Sequence, residues 1–358
     1  MQHRPELEDQ IKSLGRTIGF MLKVIIGLVL MVMMLFGYIA YTGKGIWVFE
    51  KEPIATEKSV VVEKSTAVQD TFWHAPEIAS LDGNPAKEQI LYGKDIIANT
   101  SKYFGPKGML KANATNGMNC QNCHLDAGTR VFGNNYGNVF STYPKYRARS
   151  GTVENIYKRV TDCFERSLNG TAPDSGSKEM EAIVAYINWL GKDVKKGEKA
   201  AGSGLKDLAY LDRAADPEKG KAGYEKHCVS CHTTTGQGMW NGDSSAFTFP
   251  PLWGFNSFNE GAGLYRLSNM AKYIKYNMPQ GVTHDNPKLT DEEAWDIAAY
   301  VNSQARPAKD IRKDWPKIKE KPVDHPFGPF HDGFSEEQHK LGPFKPIVKK
   351  RKELDAKK

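Results

Sequence analysis

Two five-residue units are the first chemistry this sequence offers. "CQNCH" runs from Cys120 to His124 and "CVSCH" from Cys228 to His232. Two thiols three positions apart on one helical turn match the two vinyl groups of haem, and the adjacent histidine presents an imidazole to the iron. A zinc site would want four ligands from paired C-x-x-C units, and a thioredoxin-like redox pair has no use for the histidine. Two covalently bound haem c groups are therefore expected, attached through Cys120, Cys123, Cys228 and Cys231, with His124 and His232 on the proximal side. Of the five cysteines only Cys163 is left over.

Each iron has a second axial position whose occupant sets potential and reactivity. After the second unit the candidates are Met239, Met270 and Met278. Met278 lies before Pro279, which disfavours helix there, and a loop thioether in "KYIKYNMPQG" is the best ligand. Met270 sits within the helical pattern "LYRLSNMAKYIKY" and reads as packing. After the first unit there is neither Met nor His before residue 178. Cys163 then stands where the missing ligand should be. A buried inert thiol, a lysine ligand (Lys145 or Lys158) and an open coordination position remain alternatives.

The elements that must position these groups repeat. "KEMEAIVAYINWLGKDV" (178–194) follows the first unit and "EEAWDIAAYVNSQAR" (292–306) the second. Both share an apolar-Ala-Tyr-apolar-Asn core with apolar residues at helical spacing. Thr290 and Glu293 form a capping box, and Pro217 stands near the start of a helix leading into the second unit. Each half reads as leading helix, haem unit, long loop and closing helix. That order resembles class I cytochrome c domains, which implies an all-α fold of two such domains in tandem behind an N-terminal transmembrane helix.

The chain of 358 residues is long enough for two domains with extensions, and 40% hydrophobic with 25% charged residues names no class by itself. From Val24 to Gly43 twenty residues carry no charge, enough for a helix of about 30 Å and thus a bilayer core. The run exceeds a signal-peptide core, and "AYTG" (40–43) is a poor cleavage site, so a retained anchor is expected. Flanking charge orients it weakly: Arg4, Lys12, Arg16 and Lys23 precede it, and Lys44, Lys51 and Lys58 follow.

Of the net charge of +7, about six come from residues 339–358, with eight Lys/Arg against two acids. Such an end is a solvated tail, or a grip for an acidic partner or anionic headgroups. No aromatic-interleaved basic face or zinc-finger spacing accompanies it, which argues against nucleic acid. "HPFGPFHDGFSEEQHKLGPFKP" (325–346) cannot build its own core, and is expected to be disordered or extended over a partner subunit.

"NCQNCHLDAGT" (119–129) followed by "DCFERSLNG" (162–170) closely resembles the thiosulfate dehydrogenases, dihaem cytochromes c that interconvert thiosulfate and tetrathionate. The likeness covers about residues 85–306. It implies that His124 and Cys163 ligate the first haem iron and that Arg149, Arg159 and Ser167 line the substrate site. For the second haem it implies His232 with Met278, because Asn277 stands where some members have a ligating lysine. It also implies haem domains on the periplasmic side of the cytoplasmic membrane, electrons passing through the second haem to a redox partner, and a catalytic direction left open. A non-catalytic electron-transfer subunit of a membrane complex is the rival reading. A dihaem peroxidase fits worse, since it gives the Cys–Arg–Ser set no purpose. The expected organisation is an N-terminal segment with the membrane helix (1–45), a linker (46–80), haem domains at 81–200 and 201–306, and an extended basic, proline-rich tail (307–358).

Overall fold

The computed structural model describes residues 4–42 and 72–357. It separates into an N-terminal unit and a larger unit from Asp70 onward. In the first, a single helix, α1 (Arg4–Thr42), carries large apolar side chains that are all exposed from Leu14 to Tyr38. Its stretch Lys12–Ile39 is long and apolar enough to cross a membrane. Most of the expected linker lies outside the described residues.

The larger unit is mostly helical, with two short ribbons. Its first half contains α2 (Lys87–Ala98), the antiparallel pair β1 (Lys145–Arg147) and β2 (Thr152–Glu154), α3 (Ile156–Arg166) and α4 (Lys178–Leu190). The second half has α5 (Pro217–His227), a second antiparallel pair, β3 (Met239–Trp240) and β4 (Phe247–Phe249), α6 (Leu267–Asn277) and α7 (Asp291–Ser303). Four helices begin where a short polar side chain captures an orphan N–H. Asn155 accepts from Lys158, Ser177 from Met180, Asp216 from Glu218 and Lys219, and Thr290 from Glu293.

In each half the leading and closing helices cross at a glycine. A Cβ on Gly93 would sit 1.9 Å from the Ala182 carbonyl oxygen and 3.0 Å from Tyr186 Cβ. One on Gly220 would sit 1.9 Å from the Asp296 oxygen and 2.9 Å from Tyr300 Cβ. These tyrosines are the ones at the centre of the repeated sequence core. Side chains around both crossings, among them Tyr186, Trp295, Ile183 and Ile297, are almost wholly buried. The tandem organisation expected from the repeat is therefore present as one crossing built twice.

Two expectations need correction. The linker's last residues pack: the Trp73 N–H donates to the Ala201 carbonyl at 2.9 Å, and Leu81 is fully buried. The tail is not extended either, because it holds α8 (Glu336–Leu341) and α9 (Phe344–Ala356). Phe344 packs on Tyr210 and Trp295, and Ile347 is fully buried. Buried Asp324 accepts from Arg266 at 2.9 Å and from the Ser268 N–H at 3.0 Å. Asp332 binds His339 at 3.0 Å and Arg351 at 2.6 Å. Lacking a core of its own, the segment borrows that of the second domain. Its widely spaced anchors leave no period to read.

Candidate functional site

Helix α3 sets the first site. Arg159, Cys163 and Ser167 recur every four residues and share one face. Together with Ile156, Val160 and Phe164 that face lines a cavity of about 260 Å³. Cys120, Cys123 and His124 line the same cavity, so the leftover thiol and the first haem unit share one chamber. An Arg159 guanidinium N–H donates to Cys163 Sγ at 2.9 Å. The Cys163 sulfur, more than any other neighbour, pushes Arg159 above its usual range despite burial.

His124 Nδ1 donates to the Asn134 carbonyl at 2.5 Å, and its ring stacks on Tyr136. His232 repeats this arrangement, with Nδ1 donating to the Pro250 carbonyl at 2.7 Å. Such a bond fixes the tautomer and leaves Nε2 with a lone pair for a metal. With the two cysteines of one C-x-x-C-H unit and its oriented imidazole in each cavity, both donor sets fit a c-type haem. Burial pushes the Cys120, Cys123 and Cys228 thiols up to about 12, so as free thiols they would be neutral rather than reactive thiolates.

The second cavity, about 300 Å³, is lined by Cys228, Cys231, His232 and Met278. Met278 has an extended backbone directly after α6, as its proline neighbour predicts. Met270 is buried on α6 and lines this cavity too. Met239 lies on β3 and does not line this cavity. Asn277 is buried, and its side-chain amide donates to the Phe132 carbonyl at 3.2 Å. Met118 and Cys123 line both cavities, which are thus separated by a thin shared wall. Tyr273 of the second domain ties that wall, its hydroxyl donating to the Asn122 carbonyl at 2.7 Å.

Two expected participants sit elsewhere. Lys158 does not line the first cavity and pairs with Asp162 at 2.5 Å, whereas Lys145 does line it. Arg149 does not line the cavity. It lies in the β1–β2 turn with its guanidinium over the Trp315 ring, 5.9 Å from the centroid. Burial, then the nearby Arg166 and Arg159, pulls Arg149 down to about 10.

Comparison with known proteins follows this geometry. A family model described as "SoxA/TsdA, cytochrome c domain" matches residues 108–195. Another, described as "Cytochrome C oxidase, cbb3-type, subunit III", matches residues 215–301. The thiosulfate dehydrogenase of Thiomonas intermedia (strain K12) is 36% identical over 256 residues, which are 71% of this chain and 77% of its own. This chain belongs to the thiosulfate dehydrogenase family. It is an oxidoreductase with two cytochrome c domains that bind c-type haem. The family's member from Allochromatium vinosum is 36% identical over 236 residues, covering 65% of this chain and 83% of its own. A solved structure titled thiosulfate dehydrogenase (TsdBA) from Marichromatium purpuratum, "as isolated" form, is 28% identical with a TM-score of 0.63. That match covers 75% of this chain and spans 55% of the other.

Sequence reasoning missed Asn134 and Pro250, because carbonyl partners carry no residue-type signal. It also missed Arg166, although this residue lies inside the quoted motif beside Ser167. The Arg166 guanidinium forms a bidentate pair with Asp314, at 2.7 and 2.9 Å, across a separation no local pattern reveals.

Proposed function

We propose that this family member interconverts thiosulfate and tetrathionate beside Cys163 in the first cavity and exchanges electrons through the second. Thioether attachment is assigned to Cys120, Cys123, Cys228 and Cys231. Iron ligation is assigned to His124 with Cys163 and to His232 with Met278. Haem in each cavity supplies a one-electron acceptor, and two per chain match the two electrons released when two thiosulfates join.

The observation that carries this reading is the Arg159 N–H donating to Cys163 Sγ at 2.9 Å, with Ser167 one turn on in the same chamber. Thiosulfate is a small dianion, and its oxygens suit charge-assisted bonds from guanidinium groups. Arg159 binds and orients it with the outer sulfur toward Cys163, and Arg149 is assigned the sulfonate of the second thiosulfate. The Cys163 thiolate bonds to that sulfur, giving Cys–S–S–SO3⁻ and releasing two electrons. The sulfur of a second thiosulfate attacks the same outer atom, forming tetrathionate and restoring the thiolate. No proton is exchanged, and the reverse sequence reduces tetrathionate.

The thin wall containing Met118 and Cys123 supports passage of electrons from the first cavity to the second. A redox partner would receive them there. The segment 24–43, described to residue 42 within helix α1, is assigned as a single-pass anchor in the cytoplasmic membrane with the haem domains periplasmic, a reading supported by the helix's apolar stretch. Domain limits at 81–200 and 201–306 are retained.

Turnover decides the matter. Purified haem-loaded protein is supplied with thiosulfate and an artificial electron acceptor, then with tetrathionate and a reductant. Turnover in at least one direction is expected, and a protein silent in both with intact haem spectra sinks the proposal.

A further inference from the structure

Residues 314–320 lie beyond both family-model matches, yet they reach the ribbon that carries Arg149. The Trp315 N–H donates to the Arg149 carbonyl at 2.7 Å. Pro316 fits against Gly151, where an added Cβ would come within 2.6 Å of its ring. Glu320 accepts from the Tyr146 hydroxyl at 2.7 Å, and the Lys317 ammonium lies 5.0 Å over the Tyr146 ring. Asp314 holds Arg166 in the bidentate pair, both side chains being nearly buried. The C-terminal segment is thus bound to the ribbon on one side and to α3 on the other.

Trp315 itself has φ +61°, a backbone region that a tryptophan adopts only where its surroundings over-determine it, and such positions gather at ligand clamps. Its indole N–H is buried, and among the described residues nothing accepts from it. The same holds for Arg166 Nε. Among the described residues no carboxylate lies within ion-pair distance of Arg149, whereas Asp314 occupies Arg166. The segment therefore neutralises one guanidinium and leaves its neighbour free for an anion.

The proposed reaction needs two thiosulfate dianions side by side, or one tetrathionate with a sulfonate at each end. Arg159 serves the sulfonate inside the Cys163 cavity. Arg149 is not among the cavity's lining residues and is assigned the second sulfonate. We infer that the C-terminal segment forms the outer wall of the substrate site, with Trp315 a positioning residue that holds the Arg149 guanidinium on its ring for the second sulfonate group. This inference rests on the proposed function. The ring contributes a cation–π contact and a flat support, which phenylalanine supplies in part and leucine does not.

The test compares Trp315→Leu, which keeps bulk without a ring face, with Trp315→Phe. Each is made in the wild-type and Arg149→Ala backgrounds as the full haem-loaded chain. Trp315→Leu is expected to raise KM for thiosulfate and tetrathionate about fivefold while kcat stays within twofold. Trp315→Phe should keep KM within twofold of wild type. In the Arg149→Ala background Trp315→Leu should add nothing further, because both changes remove the same positioned cation. An active wild type with an unmoved KM in Trp315→Leu overturns this inference alone, and so does a full additional KM increase in the Arg149→Ala background. Loss of haem loading in both Trp315 variants would mark the residue as structural and overturn it too. A wild type inactive in both directions removes the functional reading beneath it.

Discussion

The two haem domains share a scaffold and differ on one side of the cavity. Both cross their helices on a glycine, Gly93 and Gly220, and both hold a proximal imidazole by Nδ1 on a backbone carbonyl. In the same cavity as that imidazole the first domain presents a helix, α3, carrying Arg159 and Cys163 and capped by Ser167. The second presents Met278 in an extended stretch after α6. The first cavity is further lined by cationic Lys145 and Arg147, the second by Arg130 with Asp126, and both by apolar side chains such as Ile183 and Ile187 in the first and Ile274 and Leu289 in the second. The comparison teaches that the repeated part brings a C-x-x-C-H unit to each cavity, while the element that differs, α3 in one and the stretch after α6 in the other, is where the proposed division between sulfur chemistry and electron transfer rests.

The sharpest break in that comparison is Cys163→Ala. Turnover should fall at least 100-fold, about 2.7 kcal/mol in the barrier, with the first haem's spectrum altered and the second's intact. Optical and EPR spectra of the reduced and oxidised protein check this, and an unchanged first haem removes Cys163 from the iron. The shared scaffold is probed next by Gly93→Val and Gly220→Val. Each forces a branched side chain into a backbone carbonyl and should cost about 3 kcal/mol or more, by similar amounts in the two domains. Chemical denaturation followed at the haem bands reads this, and strongly unequal losses would show that the crossings are not equivalent.

Arg159→Lys keeps the charge but loses the planar fork. A roughly tenfold fall in kcat/KM is expected with both haems still loaded. The corresponding change at the other site, Met278→Ala, should act only on electron transfer. It should shift the second haem's potential by on the order of 100 mV and slow turnover about threefold at most. Redox titration separates the two, and a matching shift at the first haem would contradict the division of labour between them.

Much of this was legible in short windows. The two C-x-x-C-H units, the capping box of Thr290 and Glu293, and the absence of a methionine between His124 and residue 178 are each contained within a few residues or a simple count. Cys163 could be singled out by exclusion, because chain order alone places the distal side after the haem unit and before the closing helix. The tail was misread as extended because its anchors follow no period: Asp324 and Phe344 find partners in the second domain, and Asp332 pairs with His339 and Arg351 of the tail itself.

By itself the sequence pointed to c-type haem, to two C-x-x-C-H units, to the helical order and to the candidate sulfur nucleophile, since those depend on short spacings and on chain order. Only the tertiary structure decided that the two cavities share Met118 and Cys123, that Tyr273 bonds to the first haem unit, and that Trp315 and Asp314 meet Arg149 and Arg166. Those contacts join residues far apart in the chain. Their partners are selected by packing and by satisfaction of buried polar groups, neither of which leaves a periodic mark on the sequence.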